Sequence, residues 1–367
     1  MTRPVVVAAA ALTALGDLHQ TWAALLSGRS GLAAGRLAAP LDRYPVGVVP
    51  VLAGDWGSAD RQVQLYRGVL AGLPPMPEEC GLVLATTKGA VDELLGEAGP
   101  PWPGQPWDLA GEIARAAGLT GPVATVSGAC ASGTIALVRA AQMIRSGEGP
   151  SSVLVVGLDL LSRFVTGGFA RLQALTPATC RPFDRKRDGL ALGEGAGALL
   201  VSSVAEAGLR GWPVLAGIDG WGVSGDAGHI TAPCREASGL IRALALCTAN
   251  GRKPVGAVNA HGTGTRFNDA MELKAFHSAL PAGTPCHSVK GAIGHTLGAA
   301  GVIEAAVAVR SLAVGLVPPT VGLLEPEGEG GGFSGSEAQP LRYPSVLSCN
   351  SGFGGINGAV LLTGSEW

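Results

Sequence analysis

Residues 123–138 join a β-type run to a helical period and read Val123-Ala-Thr-Val-Ser-Gly-Ala-Cys130-Ala-Ser-Gly-Thr-Ile-Ala-Leu-Val138. The β-rich run ends at Val126, and apolar residues then recur at helical spacing from Ile135. The small residues between them place Cys130 at a strand-to-helix turn, where the helix dipole and free N–H groups favour a thiolate. On this segment alone, a buried structural cysteine is an equally good interpretation.

The alternation of strand and helix extends over the whole chain and predicts an α/β fold with mostly parallel strands and right-handed crossovers. The last two strands have only the loop 350–357 between them, so we expect them to pair antiparallel. The order of elements suggests two α/β halves, residues 1–205 and 206–367. The predicted strands are Val5–Val7, Gly81–Ala85, Val123–Val126, Val153–Val156, Ala198–Val201, Val255–Ala260, Val346–Cys349 and Ala359–Leu362. The predicted helices are Gln20–Leu26, Arg61–Leu70, Leu109–Ala117, Ser132–Ile144, Ala237–Ala249, Met271–Ala279 and Ala299–Leu312.

Composition excludes several classes of protein. With 47% hydrophobic residues among 367, the chain is too apolar to be disordered. A net charge of −2 without a basic run argues against a nucleic-acid partner. The seven cysteines include no CxxC pair, which argues against a disulfide framework or metal cluster and favours the reducing cytoplasm. We expect the apolar start to be a buried first strand rather than a secretory signal, and we predict no membrane span.

A second candidate segment follows a buried strand and reads Asn259-Ala-His261-Gly-Thr263-Gly-Thr265. Ligand sites in open α/β folds gather where strands end, so His261 is a candidate catalytic residue. Thr263 and Thr265, each next to glycine, offer hydroxyls to a polar ligand. A satisfied core histidine is the alternative for His261.

Two more segments carry chemistry-bearing residues in apolar, glycine-rich surroundings. Lys290 and His295 lie in an almost charge-free stretch, and a buried lysine needs a partner, for which Glu272 is the candidate. Phe353 stands between glycines, where a tight turn presents backbone N–H groups to an oxyanion. A surface loop and an ordinary turn are the alternatives. Together, one nucleophilic cysteine, two histidines and a glycine-rich turn indicate acyl transfer through a thioester.

These segments together resemble the β-ketoacyl-acyl-carrier-protein synthases of the condensing-enzyme (thiolase-like) family, in its Cys-His-His branch. The resemblance covers nearly the whole chain. It implies two duplicated α/β halves in a five-layer α-β-α-β-α arrangement, and a dimer. The motifs that carry it are ACASG (129–133), NAHGTGT (259–265), VKGAIGHTLGAAG (289–301) and NSGFGGINGA (350–359).

The resemblance also implies roles for residues in the matching motifs. It implies decarboxylative Claisen condensation, in which Cys130 holds an acyl group while His261 and His295 act on the malonyl unit. Phe353 resembles the gate residue, and its N–H and that of Cys130 form the oxyanion hole. Lys290 supports the site through a buried pair with Glu272. Residues expected to contact the phosphopantetheine arm or the acyl chain are Thr231, Thr263, Thr265 and Phe169. No resident cofactor is implied, because the substrates ride on the phosphopantetheine of an acyl carrier protein.

The chain also departs from the family pattern. The segment between Leu70 and Val123 is shorter than in fatty-acid members, and the helix at Arg61–Leu70 carries few basic residues for carrier docking. A shortened cap indicates a specialised pathway such as aryl-polyene or other polyketide-like synthesis. It also keeps a second hypothesis open, a chain-length-factor-like subunit of a heterodimer, although such subunits usually lose the cysteine. A plain acyl- or carrier-binding module is the third hypothesis, and it has no use for two histidines and a lysine.

Overall fold

The computed structural model describes residues 2–94, 104–249, 254–327 and 337–365. Its strands are β1 (Pro4–Thr13), β2 (Gly16–Asp17), β3 (Leu32–Ala33), β4 (Val46–Gly47), β5 (Gly81–Ala85), β6 (Val123–Val126), β7 (Ser152–Asp159), β8 (Leu192–Gly193), β9 (Gly195–Ser203), β10 (Ala216–Gly225), β11 (Ala257–Asn259), β12 (Cys286–His287), β13 (Leu316–Val317), β14 (Gln339–Pro340), β15 (Ser345–Gly352) and β16 (Ile356–Thr363). Its helices are α1 (Leu18–Leu26), α2 (Ala59–Leu70), α3 (Val91–Leu94), α4 (Pro106–Ala116), α5 (Ser132–Ser146), α6 (Arg163–Arg171), α7 (Val204–Arg210), α8 (Ser238–Thr248), α9 (Arg266–Ala279), α10 (Lys290–Ile293) and α11 (Ala300–Val314), with a 3₁₀ turn at Leu297–Ala299.

The large sheet contains the same strand order twice. Its first half runs β6-β5-β7-β9-β1 and its second half β12-β11-β15-β16-β10. We number the strands just named within each half by their order in the chain. In both halves the first strand then lies at the centre of the sheet, and the fifth, fourth, second and third strands follow it towards the edge. Short antiparallel pairing between β1 and β10 joins the halves, at Val5 with Gly217 and Val6 with Ala216. On this repeated order we propose that the chain consists of two duplicated halves, 1–205 and 206–367.

The sheet is mixed, so the expectation of mostly parallel strands was wrong. Parallel pairs occur between strands separated by helical crossovers, either directly, as in β5–β6 and β11–β12, or with other strands between them in the chain, as in β5–β7 and β11–β15. A helical crossover carries the chain back to the end of the sheet at which the previous strand began, so the next strand runs in the same direction. A tight turn or an irregular segment leaves the chain at the opposite end, so the next strand runs in the reverse direction. The long excursion from β7 to β9 thus ends in an antiparallel pair. The expected antiparallel pairing of the last two strands is confirmed for β15 and β16.

Alternate residues of each central strand face two different helix layers. In β7, Leu154 and Val156 pack with α2 and α4, whereas Val153 and Val155 pack with α5 and α11. In β16, Val360 and Leu362 face the α5 and α11 layer, and Leu361 packs with α8 and α9. Helices α5 and α11 thus form a central layer between the two halves of the sheet. The expected five-layer α-β-α-β-α arrangement is confirmed.

Every predicted strand and helix is present, with ends that differ by a few residues. The sequence pattern missed β10, because its glycines interrupt the apolar alternation. Those glycines admit the backbone of α8: a Cβ on Gly220 would lie 2.0 Å from the Cys247 carbonyl oxygen, and one on Gly222 would lie 2.1 Å from that of Ala243. The pattern also missed α6 and α7.

Part of the expected shortened cap, residues 95–103, lies outside the described residues.

One helical stretch, Leu297–Val314, is long and apolar enough to cross a membrane by length and composition alone. Of the residues in this stretch, 78% are buried inside the protein, because the stretch includes α11 of the central layer. Burial between two sheet halves accounts for its apolar character.

The two central helices touch at glycines, which leads to a testable prediction. A Cβ on Gly133 would lie 2.7 Å from the Val302 nitrogen, a backbone atom that cannot move aside without shifting α11. We expect Gly133→Ala to lower the free energy of unfolding by about 1–3 kcal/mol. Gly208, in α7, has nothing within 4 Å of its added Cβ, so Gly208→Ala should raise stability by about 0.5–1 kcal/mol. Chemical denaturation of both variants checks this; equal effects would contradict it.

Candidate active site

A cavity of about 490 Å³ lies where the ends of several strands meet the central helices. It brings together Cys130, His261, His295 and Phe353, which come from four separate segments of the sequence. The cavity is also lined by Phe169, Thr231, Thr263 and Thr265, whereas Lys290 and Glu272 lie behind its wall. Polar lining residues that the sequence analysis did not assign to the site include Asp188, Asp226, Arg266, Asn268, Ser351 and Asn357.

Cys130 lies in the turn between β6 and α5, as the sequence predicted. The turn is tight: Ala129 has a φ of 49°, in the left-handed region that non-glycine residues rarely adopt. The hydroxyl of Ser132 accepts a hydrogen bond from the Gly128 N–H at 2.9 Å and so closes the turn. The sulfur thereby faces the cavity at the start of a helix that packs in the centre of the fold.

The expectation that its helix position favours a Cys130 thiolate was incomplete. Burial raises the pKa of the Cys130 thiol to about 12 and outweighs the Lys290 ammonium and the backbone N–H of Phe353, which both lower it. Charge is costly in this water-poor setting, and the sequence did not reveal how deeply the turn is enclosed. The resting sulfur is therefore a thiol, so any reaction that uses it as a nucleophile must also remove its proton.

This protonation state predicts the pH dependence of alkylation. Below its pKa, the thiolate fraction of a cysteine rises tenfold for each pH unit. We therefore expect the rate of Cys130 alkylation by iodoacetamide to rise continuously from pH 6 to pH 10, followed by peptide mass spectrometry. The partly exposed Cys234, whose pKa is lowered chiefly by hydrogen bonding to Ser238, should approach its plateau in alkylation rate at lower pH. A plateau for Cys130 below pH 8 would instead reveal a resting thiolate–imidazolium pair.

The two histidines face the cysteine as neutral imidazoles. Their ring centroids lie 5.0 Å apart with the planes at 83°, and the Cys130 sulfur and one ring nitrogen of each histidine lie within 4.8 Å of one another. Burial and the Lys290 ammonium hold the pKa of each histidine well below its usual value of 6.5. Asn350 lies 3.0 Å from the Nδ1 of His261, whereas His295 has no hydrogen-bond partner among the described residues. Both rings can therefore offer an N–H to a substrate oxygen.

The buried partner of Lys290 is Glu304, so the predicted pair with Glu272 was wrong. The Lys290 ammonium contacts the Glu304 carboxylate and the His261 carbonyl oxygen. Glu272 is occupied elsewhere: it accepts hydrogen bonds from the N–H groups of His261 at 2.8 Å and Gly262 at 2.6 Å. Glu272 thus holds the backbone of the histidine loop. A signal for Glu304 was present, because it is the one acidic residue in the predicted helix Ala299–Leu312.

Phe353 forms one wall of the cavity near its opening. Its ring stacks on Phe169 of α6, with centroids 5.5 Å apart and planes at 24°. The predicted tight turn is present, since Gly354 and Gly355 have φ values of 84° and 72°. Phe353 is 36% exposed, so it lies between the solvent and the enclosed cysteine.

The threonines Thr231, Thr263 and Thr265 line a polar part of the cavity, which we call the passage. Thr263 and Thr265 are joined through their hydroxyls at 2.9 Å, and Asp269 accepts a hydrogen bond from the Thr263 N–H at 3.0 Å. Arg187, which is buried, donates to the carbonyl of Thr265 at 3.2 Å. The passage therefore has a fixed polar wall. Thr231 lines it from a more exposed loop.

Comparison with known proteins places this chain in a family. A family model described as the β-ketoacyl synthase N-terminal domain matches residues 62–207, and one described as the C-terminal domain matches residues 215–324. The tetracenomycin polyketide synthase ketoacyl synthase alpha subunit of Streptomyces glaucescens is 31% identical over 89% of this chain and 86% of that protein. The 3-oxoacyl-[acyl-carrier-protein] synthase 2 of Vibrio cholerae is 36% identical over 69% of this chain, and the match spans 65% of that protein, slightly under two thirds.

Among solved structures, the ishigamide ketosynthase/chain length factor superposes with a TM-score of 0.88 at 28% identity. The superposition covers 99% of this chain and 99% of that one. The likeness thus extends over the whole fold, beyond the segments matched by the family models.

Proposed function

Because the chain belongs to the β-ketoacyl synthase family, we propose that it catalyses decarboxylative Claisen condensation between a Cys130-bound acyl group and malonyl-acyl-carrier protein. The observation that carries this proposal is the convergence of the Cys130 sulfur with one ring nitrogen each of His261 and His295 within 4.8 Å. One nucleophile beside two neutral N–H donors suits a reaction that forms first a thioester and then an enolate.

The first half-reaction loads the cysteine. The Cys130 sulfur attacks the carbonyl of an acyl-carrier thioester, the imidazole of His295 takes the thiol proton at a ring nitrogen that has no other partner among the described residues, and the carrier thiol leaves with a proton. The backbone N–H groups of Cys130 and Phe353 stabilise the tetrahedral oxyanion. One such donor contributes about 2.7–4 kcal/mol to the stability of a transition state.

The second half-reaction extends the chain. The carbonyl oxygen of the malonyl thioester accepts hydrogen bonds from His261 and His295. The bond to the malonyl carboxylate breaks, CO2 leaves, and its electron pair becomes the enolate, with His261 assisting. The enolate carbon attacks the acyl carbonyl on Cys130. The intermediate collapses, expels the sulfur as a thiolate that takes up a proton from water, and leaves a β-ketoacyl group on the carrier.

The remaining residues would handle the carrier arm. The phosphopantetheine amides would accept or donate hydrogen bonds along the passage, at the hydroxyls of Thr231, Thr263 and Thr265. The rings of Phe169 and Phe353 would line the part of the cavity that holds the acyl chain. The positive charge of Lys290 would keep both histidines neutral, because it lowers the pKa of each imidazole. The chemistry would need no resident cofactor, because the reacting groups arrive on phosphopantetheine.

Two neighbouring reaction types are disfavoured by particular residues. A degradative thiolase needs a second cysteine in the C-terminal glycine-rich loop, where this chain has Phe353. Condensing enzymes of the Cys-His-Asn type have asparagine where this chain has His295. Both residues favour condensation with loss of CO2.

The test follows both products at once. Purified protein is mixed with a panel of acyl-carrier thioesters and with [3-¹⁴C]malonyl-carrier, whose label is in the free carboxyl carbon. Release of labelled CO2 in a one-to-one ratio with β-ketoacyl-carrier supports condensation. A protein that never forms product, alone or with candidate partner synthases, would contradict the proposal. The acyl group that reacts fastest identifies the pathway, and aryl-polyene or related polyketide synthesis is the one that the shortened cap favours.

A second candidate is a chain-length-factor-like subunit that shapes the tunnel of a heterodimer. The close superposition on the ishigamide ketosynthase/chain length factor supports it. Retention of Cys130 favours the catalytic role. We propose a dimer in either case, and co-expression with a candidate partner, followed by native mass spectrometry, separates a homodimer from a heterodimer.

We propose a cytoplasmic location. All seven cysteines are free thiols, and six of them are buried. Free thiols throughout are typical of a reducing compartment.

A further inference from the structure

Asn350 is a fully buried residue of β15 whose side-chain amide joins three groups of the site. Its Oδ1 lies 2.5 Å from the Thr134 hydroxyl, and its Nδ2 lies 2.8 Å from Glu304 Oε2 and 3.0 Å from His261 Nδ1. Thr134 belongs to α5, one turn after the nucleophile, and Glu304 belongs to α11. The amide therefore connects both central helices to one catalytic imidazole.

The partners of this amide fix which way it faces. The other oxygen of the Glu304 carboxylate contacts the Lys290 ammonium, which has donors only, so Glu304 is ionised and can only accept. Asn350 must therefore turn its NH2 towards Glu304 and its oxygen towards the Thr134 hydroxyl, which donates. The second hydrogen of the NH2 group then points at His261 Nδ1. A flipped amide would oppose two oxygens at Glu304 and cost a buried hydrogen bond.

We propose that Asn350 fixes the tautomer of His261, forcing Nδ1 to accept and leaving the proton on Nε2, the nitrogen that faces the substrate. A neutral imidazole carries one N–H, and the hydrogen bond at one nitrogen decides the state of the other. Asn350 is thus a positioning residue, and the inference rests on the proposed function for its catalytic meaning. In the opposite tautomer, Nε2 would present a lone pair and would repel the thioester oxygen.

The tautomer can be measured directly. The chain has only six histidines, so ¹⁵N-histidine labelling gives a spectrum simple enough to assign with a His261→Gln variant. In the wild type we expect the His261 spectrum to show a protonated Nε2 and an unprotonated Nδ1 at pH 7. Asn350→Asp keeps the size of the side chain but replaces the donor with a carboxylate. We expect Nδ1 to become protonated and the His261 pKa to rise.

The same variant should separate the two half-reactions. Acylation of Cys130 should stay close to the wild-type rate, because it does not use the Nε2–H of His261. Condensation should fall by on the order of 10²–10⁴-fold, since a histidine in the wrong tautomer costs about 10⁴-fold in a serine-protease triad. Because Nδ1 protonation is pH-dependent, the condensation profile should also move along the pH axis, which simple loosening of the fold would not cause.

Asn259→Asp is the matched control. Asn259 is also buried and donates to the Glu304 backbone carbonyl at 2.9 Å, but it contacts neither imidazole. The control variant introduces a carboxylate of the same kind on β11, the strand that pairs with β15. We expect it to leave the His261 tautomer unchanged. A wild-type spectrum with Nδ1 protonated, or an unchanged tautomer in Asn350→Asp, would overturn the inference. If the spectra are as expected but the wild-type protein never catalyses condensation, the proposed function is refuted and the tautomer assignment stands.

Discussion

Replacing Cys130 with alanine is expected to abolish the acyl-enzyme and with it all condensation. The Cys130 sulfur is the proposed nucleophile, and no other cysteine lines the cavity within the described residues. Removing the nucleophile of a covalent mechanism costs about 10⁶-fold in kcat in a serine protease. Intact-protein mass spectrometry after mixing with acyl-carrier thioesters should show an added acyl mass on the wild type and none on Cys130→Ala.

Cys234→Ala supplies the control for this experiment. Cys234 is the most accessible cysteine of the described chain, and its pKa is lowered, so it is the residue most prone to incidental acylation. We expect Cys234→Ala to acquire the same acyl mass as the wild type. An adduct that survives in Cys130→Ala and disappears in Cys234→Ala would show that the mass reports surface chemistry. Absence of an adduct from every protein and every donor would favour the partner-subunit candidate.

Breaking the Lys290–Glu304 pair should have the largest effect on stability. Both side chains are 1% exposed, so neither charge can reach water when its partner is lost. Leaving one charge of a buried pair uncompensated costs about 3–5 kcal/mol. We expect Lys290→Met and Glu304→Gln each to reduce the free energy of unfolding by that amount, as measured by urea denaturation. Lys290→Met should also raise the pKa of both histidines, because the ammonium lowers them.

A double-mutant cycle tests which carboxylate is the partner. In the double variant Lys290→Met/Glu304→Gln no buried charge is left unpaired, so the loss of stability should be much smaller than the sum of the two single losses. The matched cycle combines Lys290→Met with Glu272→Gln and should be much closer to additive, since Glu272 bonds to backbone N–H groups instead. A larger coupling for Glu272 than for Glu304 would contradict the assigned pair. Activity should not return in either double variant.

Local patterns sufficed for much of this molecule. Strands such as Gly81–Ala85 and helices such as Ser132–Ser146 have strong periodicity, so their positions follow from the sequence alone. The four cavity segments are also recognisable one by one, because each combines a reactive or donor residue with glycines at a strand end. Cys130, His261, His295 and Phe353 therefore could be named before the fold was known.

What the sequence could not reveal depends on distant contacts. The glycines of β10 look like a loop until the backbone of α8 is placed against them. Glu304 and Asn350 reach His261 only because α11 and β15 lie beside it in space. The protonation of Cys130 depends on how completely its turn is enclosed, which no local pattern records. Pairing, burial and pKa are properties of the assembled fold, so sequence-based predictions were weakest there.

The shared central layer has a consequence for how the chain is made. A ribosome releases the first half before the second. Until the second half emerges, the face of α5 that meets α11 is uncovered and β1 lacks its partner β10. A nascent chain in this state exposes apolar surface and a free strand edge, both of which invite aggregation. Production in cells should therefore depend on chaperones that hold the first half, and the reactive cysteine gains its two histidines only at the last step of folding.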